Sequence, residues 1–326
     1  MFRDFTLRLP RAMSGAVTSP VSSANADRSA FSLAEWGAIG AILLVWGINN
    51  AAAKVATDAL PPLLVGGLRF GVALIVLAPF LRPPFPPWKQ ILPIILLCGP
   101  LHFGLIYWGF SLIENLSPMV VALQLWIPMT AFFAWRMLGE RMAPAALAGM
   151  IVAFVGVAWM SLDPHGAADL PGIALGLVAS CLWALGTVLV RRMPGVPPLK
   201  MQALTSVVAA PALLAASFAF EGDVVAKAMA ATWMVWASVV WAALASTVGA
   251  TALLFWLVQR REPGRVTPWF LLTPLVSCGI GIGLMGDTLT LQLVLGGGAT
   301  LVGVALVALS ERRAALRAAT DRQIQT

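Results

Sequence analysis

The chain of 326 residues is 60% hydrophobic and 11% charged, whereas an ordinary soluble domain carries about a quarter charged residues. With a mean hydropathy of +0.88, that balance excludes a soluble enzyme, a disordered chain and a disulfide scaffold. The net charge of +7 could suit nucleic acid, but the basic residues lie between and beside apolar segments, where they set membrane topology; no nucleic-acid partner is expected.

Residues 1–33 are polar, carry Arg3, Arg8, Arg11 and Arg28, and lack the apolar centre of a secretory signal. They read as a cytoplasmic, mostly disordered tail. Ten apolar segments follow, near 34–55, 61–81, 90–112, 117–138, 144–162, 170–190, 200–220, 232–258, 267–286 and 291–309. Each approaches the roughly 20 residues that a helical bilayer crossing needs. Turn formers such as Pro61-Pro62, Pro83-Pro84, Ser117-Pro118, Pro144, Pro197-Pro198 and Pro263-Gly264 separate them. Residues 310–326 form a second cytoplasmic tail. Alternating polar and apolar strands are lacking, which excludes a β-barrel. The expected fold class is an all-α polytopic membrane protein of ten transmembrane helices.

With the N-terminus in the cytoplasm, 18 of the 21 Lys and Arg residues fall on the cytoplasmic side. Only Lys54 and Lys227 fall opposite, and Arg69 lies within a span. An odd number of spans would scramble that bias, so both termini are placed inside.

The chain also resembles itself. Trp46-Gly47 with Lys54 matches Trp183-Ala184 with Arg191 at a shift of 137. Leu138-Gly139-Glu140, Gly149 and Gly156 match Met285-Gly286-Asp287, Gly296 and Gly303 at a shift of 147. Residues 34–162 and 170–309 thus read as two five-helix repeats. An odd number of helices per repeat inserts the second from the opposite face, an inverted repeat of the kind used in alternating access, with a site near mid-depth.

The residues Trp46-Gly47-Ile48-Asn49 with Lys54, Leu60-Pro61-Pro62 and Leu68-Arg69-Phe70 resemble the EamA type of the drug/metabolite transporter superfamily. So do Ser117-Pro118, Pro128, Leu138-Gly139-Glu140, Gly149 and Gly156. The resemblance spans residues 34–309 and implies a ten-helix carrier, often an exporter of metabolites or amino acids. Within the family the chain is most similar to the bacterial aromatic amino-acid exporters. It departs in having Asp287 where the first half has Glu140, and in its long basic N-terminal tail.

Polar and aromatic groups at mid-span mark the candidate site, because hydrocarbon offers an unpaired polar group no partner. Asn49 and Asn50 lie mid-way along the first span. His102 follows Gly99-Pro100, and Gln124 and Trp126 precede Pro128; each proline removes a backbone donor and opens its helix. Trp46 and Trp183 are repeat partners expected beside the axis. Trp126 has Thr273 as counterpart and breaks the symmetry. The candidate substrate-binding set is His102, Trp126, Trp183, Gln124, Asn50 and Trp46, with Leu101 and Leu105 flanking the histidine. His102, Gln124 and Asn50 either line a cavity or hydrogen-bond between helices.

Nine further tryptophans near span ends fit an interfacial aromatic belt. Arg69 is expected to extend toward the surface rather than to bind substrate. Glu140 and Asp287 are expected to cap the helices that follow them or to pair with a nearby arginine, Arg141 or Arg136 in the case of Glu140. Gly67/Gly71, Gly172/Gly176 and Gly279/Gly283 have the spacing of close helix packing. Cys98, Cys181 and Cys278 sit inside apolar segments without metal-ligand spacing, so neither disulfide, metal nor cofactor is expected.

The sequence therefore predicts a multi-pass protein of the inner membrane, a monomer or weak homodimer surrounded by lipid. It would export a small, largely apolar metabolite such as an amino acid. An exporter of lipophilic cations and a channel are the alternatives.

Overall fold

The computed structural model describes residues 31–139, 143–160, 164–191, 196–258 and 266–324, and no strand occurs among them. Ser32 starts the first helix: its hydroxyl accepts from the Glu35 N–H at 3.3 Å while the Glu35 carboxylate accepts from the Ser32 N–H at 2.7 Å. This reciprocal pair satisfies two backbone donors that a helix start leaves free.

The apolar helices are α1 (Leu33–Ala59), α2 (Pro62–Phe80), α3 (Trp88–Ser111), α4 (Leu116–Leu138), α5 (Pro144–Trp159), α6 (Ala168–Val190), α7 (Pro198–Phe220), α8 (Trp233–Leu254), α9 (Trp269–Met285) and α10 (Leu291–Ser310). Eight are long and apolar enough to cross a bilayer; α5 and α9 are shorter. A short helix, Val224–Ala230, precedes α8. Large apolar side chains such as Ile75, Phe220, Leu284 and Leu295 face outward, as they would toward lipid. The chain is a polytopic helical membrane protein. Of the nine tryptophans assigned to an interfacial belt, eight are exposed, and Trp256 is half-buried.

Helix packing follows one pattern in both halves. α2 lies along α7, and α5 along α10. α1 packs into the second half against α8 and α9, and α6 packs into the first half against α3 and α4. The α5–α10 contact shows why glycines recur there. A Cβ on Gly149 would stand 2.6 Å from the Gly303 carbonyl oxygen, and one on Gly156 would stand 2.6 Å from that of Gly296. Gly149 corresponds to Gly296 and Gly156 to Gly303, so the two contacts exchange under the repeat. Of the three glycine pairs at four-residue spacing, Gly172/Gly176 packs closely, against Gly109 and Met119. Gly67 meets Leu214, whereas Gly71, Gly279 and Gly283 have open space beside them.

Four helices are irregular. In α3, Pro100 lacks a backbone donor, Gly99 leaves helical geometry (φ −111°, ψ −107°), and the turn at Leu97–Leu101 is widened. In α4, Pro128 cannot bond the Gln124 carbonyl, which accepts instead from the Ile127 N–H at 3.1 Å. The helix thereby tightens at Gln124-Leu125. α9 tightens at the corresponding place, with ψ −11° at Leu272 against −12° at Leu125. α8 is widened over Trp241–Ala250. Both α4 and α9 end on a left-handed glycine, Gly139 (φ +70°) and Gly286 (φ +85°), a conformation that glycine adopts without a Cβ penalty.

One end of the bundle is fastened by carboxylates. The buried Asp287 accepts from the Leu116 N–H at 3.0 Å, the Ser117 N–H at 2.7 Å and the Ser117 hydroxyl. The buried Asp169 accepts from the Glu114 N–H at 2.6 Å, the Asn115 N–H at 3.2 Å and the Asn115 side chain at 3.1 Å. Glu221 accepts from the Leu63 and Leu64 N–H groups at 2.8 and 3.2 Å. Asp287 thus caps α4, a helix of the other half. This corrects the expectation that it would cap α10, whose start is capped by the Thr290 hydroxyl at the Leu293 N–H. Glu140 lies outside the described residues.

Candidate functional site

His102 follows the α3 kink and is buried. Its Nδ1 lies 2.8 Å from the Ala179 carbonyl oxygen on α6. A carbonyl only accepts, so Nδ1 carries the hydrogen, and Nε2 of the neutral ring remains an acceptor. The cross-helix bond anticipated as one alternative is therefore present. Trp183, also on α6, brings its ring to 4.9 Å from the imidazole. Phe103 completes the cluster at 4.7 Å from His102 and 6.3 Å from Trp183. These rings join α3 of the first half to α6 of the second, beside the α3 kink.

The remaining predicted residues divide between two other places. On α1, Asn50 donates to the Ser277 hydroxyl on α9 at 3.0 Å, and Ser277 donates back to the Gly47 carbonyl at 3.0 Å. Trp46 packs on Phe270, 5.2 Å between centroids. The repeat partners Trp46 and Trp183 therefore each reach into the opposite half but meet different neighbours. Gln124 and Trp126 sit at the α4 break and are half-buried. The Trp126 carbonyl accepts from Thr130 at 2.7 Å, which frees no group on its indole but fixes the turn below it. Leu101 is exposed and Leu105 half-buried on the same stretch of α3 as His102. Two buried oxygens near these helices lack a partner among the described residues, Asn49 Oδ1 on α1 and Thr273 Oγ1 on α9.

The sequence reading missed Arg69. Rather than extending to the surface, it is buried (6% exposed). Its Nε donates to Thr247 at 2.8 Å, NH1 to Tyr107 at 2.9 Å and NH2 to Ser246 at 3.4 Å. The guanidinium carbon lies 4.6 Å from the Phe103 ring centroid, a cation–π distance. The signal was available: an arginine two turns inside an apolar span is costly unless it is held by protein. Among the described residues, no group of three His, Cys, Asp or Glu is placed to hold a metal ion.

Comparison with known proteins bears on this geometry. The model of the EamA-like transporter family matches the chain twice, at residues 35–162 and 170–309. The uncharacterized transporter YvbV of Bacillus subtilis is 30% identical over 78% of this chain and 85% of its own. A protein of Salmonella typhimurium described as a probable amino-acid metabolite efflux pump is 28% identical over 76% of this chain and 86% of its own. The uncharacterized inner membrane transporter YedA of Escherichia coli K12 is 24% identical over 85% and 91%. A solved crystal structure superposes with a TM-score of 0.59 over 86% of this chain and 98% of its own, at 19% identity, a likeness of fold.

Proposed function

The chain belongs to the EamA-like transporter family, and on that premise we propose that it is an alternating-access carrier exporting small, largely apolar metabolites, amino acids and aromatic ones among them, across a bacterial inner membrane. Membership makes it a membrane transporter. The single observation that carries it is the ring cluster of His102, Phe103 and Trp183, which spans the two halves at a helix break. Edge-on and tilted rings such as these hold a planar apolar side chain, and His102 Nε2 offers an acceptor to an ammonium or amide group. The description of the Salmonella relative as an amino-acid metabolite efflux pump points the same way.

The architecture that fits this reading has ten crossings in two inverted five-helix repeats, with both termini cytoplasmic. It is supported by the double family match, by the exchange of the Gly149–Gly303 and Gly156–Gly296 contacts, and by the bias of basic residues. The widened and tightened turns of α3, α4, α8 and α9 serve as the places where the halves flex as they rock. Backbone groups freed at those breaks are available to substrate only because they lie within protein.

The test is counterflow of labelled phenylalanine and other amino acids into liposomes holding the purified protein. Saturable counterflow is expected, with Trp183→Ala raising KM about tenfold and Trp126→Ala about threefold while both variants remain folded. Unsaturable flux with single-channel currents would identify a pore instead. Counterflow of lipophilic amines in place of amino acids would overturn the assignment of cargo.

A further inference from the structure

We infer that Arg69, with Tyr107, forms a carboxylate-binding centre adjoining the aromatic cluster, so that the cargo is an apolar molecule bearing a carboxylate. This deepens the carrier reading and rests on it only in treating the bound molecule as cargo.

A guanidinium has five N–H donors and no acceptor; three are engaged, by Thr247, Tyr107 and Ser246. The Thr247 hydroxyl spends its own hydrogen on the Ala242 carbonyl at 2.8 Å, so toward Arg69 it only accepts. Tyr107 is the only tyrosine of the chain and is 1% exposed. Neither its hydroxyl nor that of Ser246 donates to any acceptor among the described residues. Two guanidinium hydrogens and two hydroxyl hydrogens are therefore unused. All are donors, gathered around one positive charge, in a segment where water cannot serve them.

The charge itself is also uncompensated. The one ion pair among the described residues joins Lys54 and Asp58, and no carboxylate among them pairs with Arg69. Arg69 sits about 10 Å along α2 from its first residue, too deep for an exposed counter-ion. Buried polar groups are as a rule satisfied, and buried charges paired. A carboxylate completes this site: it brings one negative charge and two oxygens that accept from a guanidinium side by side. A single cation does not match the charge of a phosphate, and it opposes a lipophilic cation.

Position links this centre to the rings. Phe103 lies over Arg69 at 4.6 Å, 6.2 Å from the Tyr107 ring, and also meets the rings of His102 and Trp183. Thr247 and Ser246 come from the widened turn of α8, a kind of distortion that recurs at functional sites. Arg69 is thus held by α2, α3 and α8, which belong to both halves, and a ligand there is sensed by both.

The experiment uses the purified full-length protein and four probes of similar size: phenylalanine, 3-phenylpropionate, 3-phenylpropanamide and phenethylamine. Binding is read by quenching of tryptophan fluorescence in detergent, and transport by counterflow in liposomes. The two carboxylates are expected to bind at least about tenfold more tightly than the amide or the amine. Arg69→Gln should abolish that preference and Arg69→Lys keep part of it. Tyr107→Phe, which removes one hydroxyl and keeps the packed ring, should weaken the carboxylates about threefold to tenfold and leave the amide unchanged. Should Arg69→Gln not fold, the Tyr107→Phe ratio decides. Equal binding of carboxylates and amide by the wild type, or a wild-type preference in both variants, overturns the inference. Arginine-dependent carboxylate binding without counterflow would end the carrier reading alone, and counterflow indifferent to the carboxylate would end this one alone.

Discussion

The acidic end of the bundle and its interior treat charge in opposite ways. At the end, Asp287 and Glu221 accept from the first backbone N–H groups of α4 and α2, and Asp169 from the Glu114 and Asn115 N–H groups just before α4. Those helix starts carry partial positive charge and orphan donors, so each carboxylate finds its compensation in the backbone. In the interior, Arg69 is surrounded by hydroxyls and a ring, with no opposite charge and with donors to spare. The first arrangement is complete and fastens the halves together. The second is incomplete and is a place for a ligand. Burial alone would not separate the two, since Asp287 and Arg69 are equally buried at 6% exposed; the count of unused donors does.

This contrast can be broken at its strong side first. Asp287→Ala strands two backbone N–H groups and the Ser117 hydroxyl in the protein interior and should cost about 3–4 kcal/mol, seen as a large fall in melting temperature of the detergent-solubilised protein. Asp287→Asn, whose amide oxygen still accepts, should recover roughly half of it. A melting temperature unchanged by the alanine variant would mean that the cap fastens nothing. Asp169→Ala is expected to lose less, about 2 kcal/mol, because the exposed Glu114 and half-buried Asn115 can turn to water. In the interior, His102→Ala removes the hydrogen bond to Ala179 and the ring packed on Phe103 and Trp183, and should lower stability by about 2 kcal/mol. Its KM for an aromatic cargo should rise by more than that loss of stability accounts for, which a purely structural histidine would not do. Smallest is Asp58→Ala, which breaks the Lys54 pair between residues four apart, one of them half-exposed. Because the Lys54 side chain is only 10% exposed, a loss of about 1 kcal/mol is expected there, and unfolding measured beside Asp287→Ala makes the comparison direct.

Much of this molecule was legible before any coordinates. Apolar runs bounded by prolines located every apolar helix, because a backbone in hydrocarbon must close its hydrogen bonds within the segment. Pro100 and Pro128 announced the breaks in α3 and α4 for an equally local reason, the missing donor. The shifted matches placed Gly139 beside Gly286 and Gly149 beside Gly296 as partners, and these residues do end or pack their helices alike. The break in α8 was not foreseen. It contains no proline, and its widening coincides with the Thr247 hydroxyl bonding back to Ala242, which depends on where that side chain turns.

The partners of the charged and polar residues were the illegible part. Asp287 looked like a cap for α10 because sequence offers only the nearest helix start, whereas its donors lie 171 and 170 residues away. Arg69 looked able to reach the surface because its length permits it, whereas Tyr107, Ser246 and Thr247 from two other helices retain it. Composition and periodicity determined that the chain lies in a membrane, where its apolar helices run and where prolines break α3 and α4, since each follows from hydrogen bonds and burial within one segment. Which carboxylate is satisfied and which cation is left wanting was decided by tertiary structure alone. That depends on the meeting of side chains far apart in the chain, and only the packed bundle brings them together.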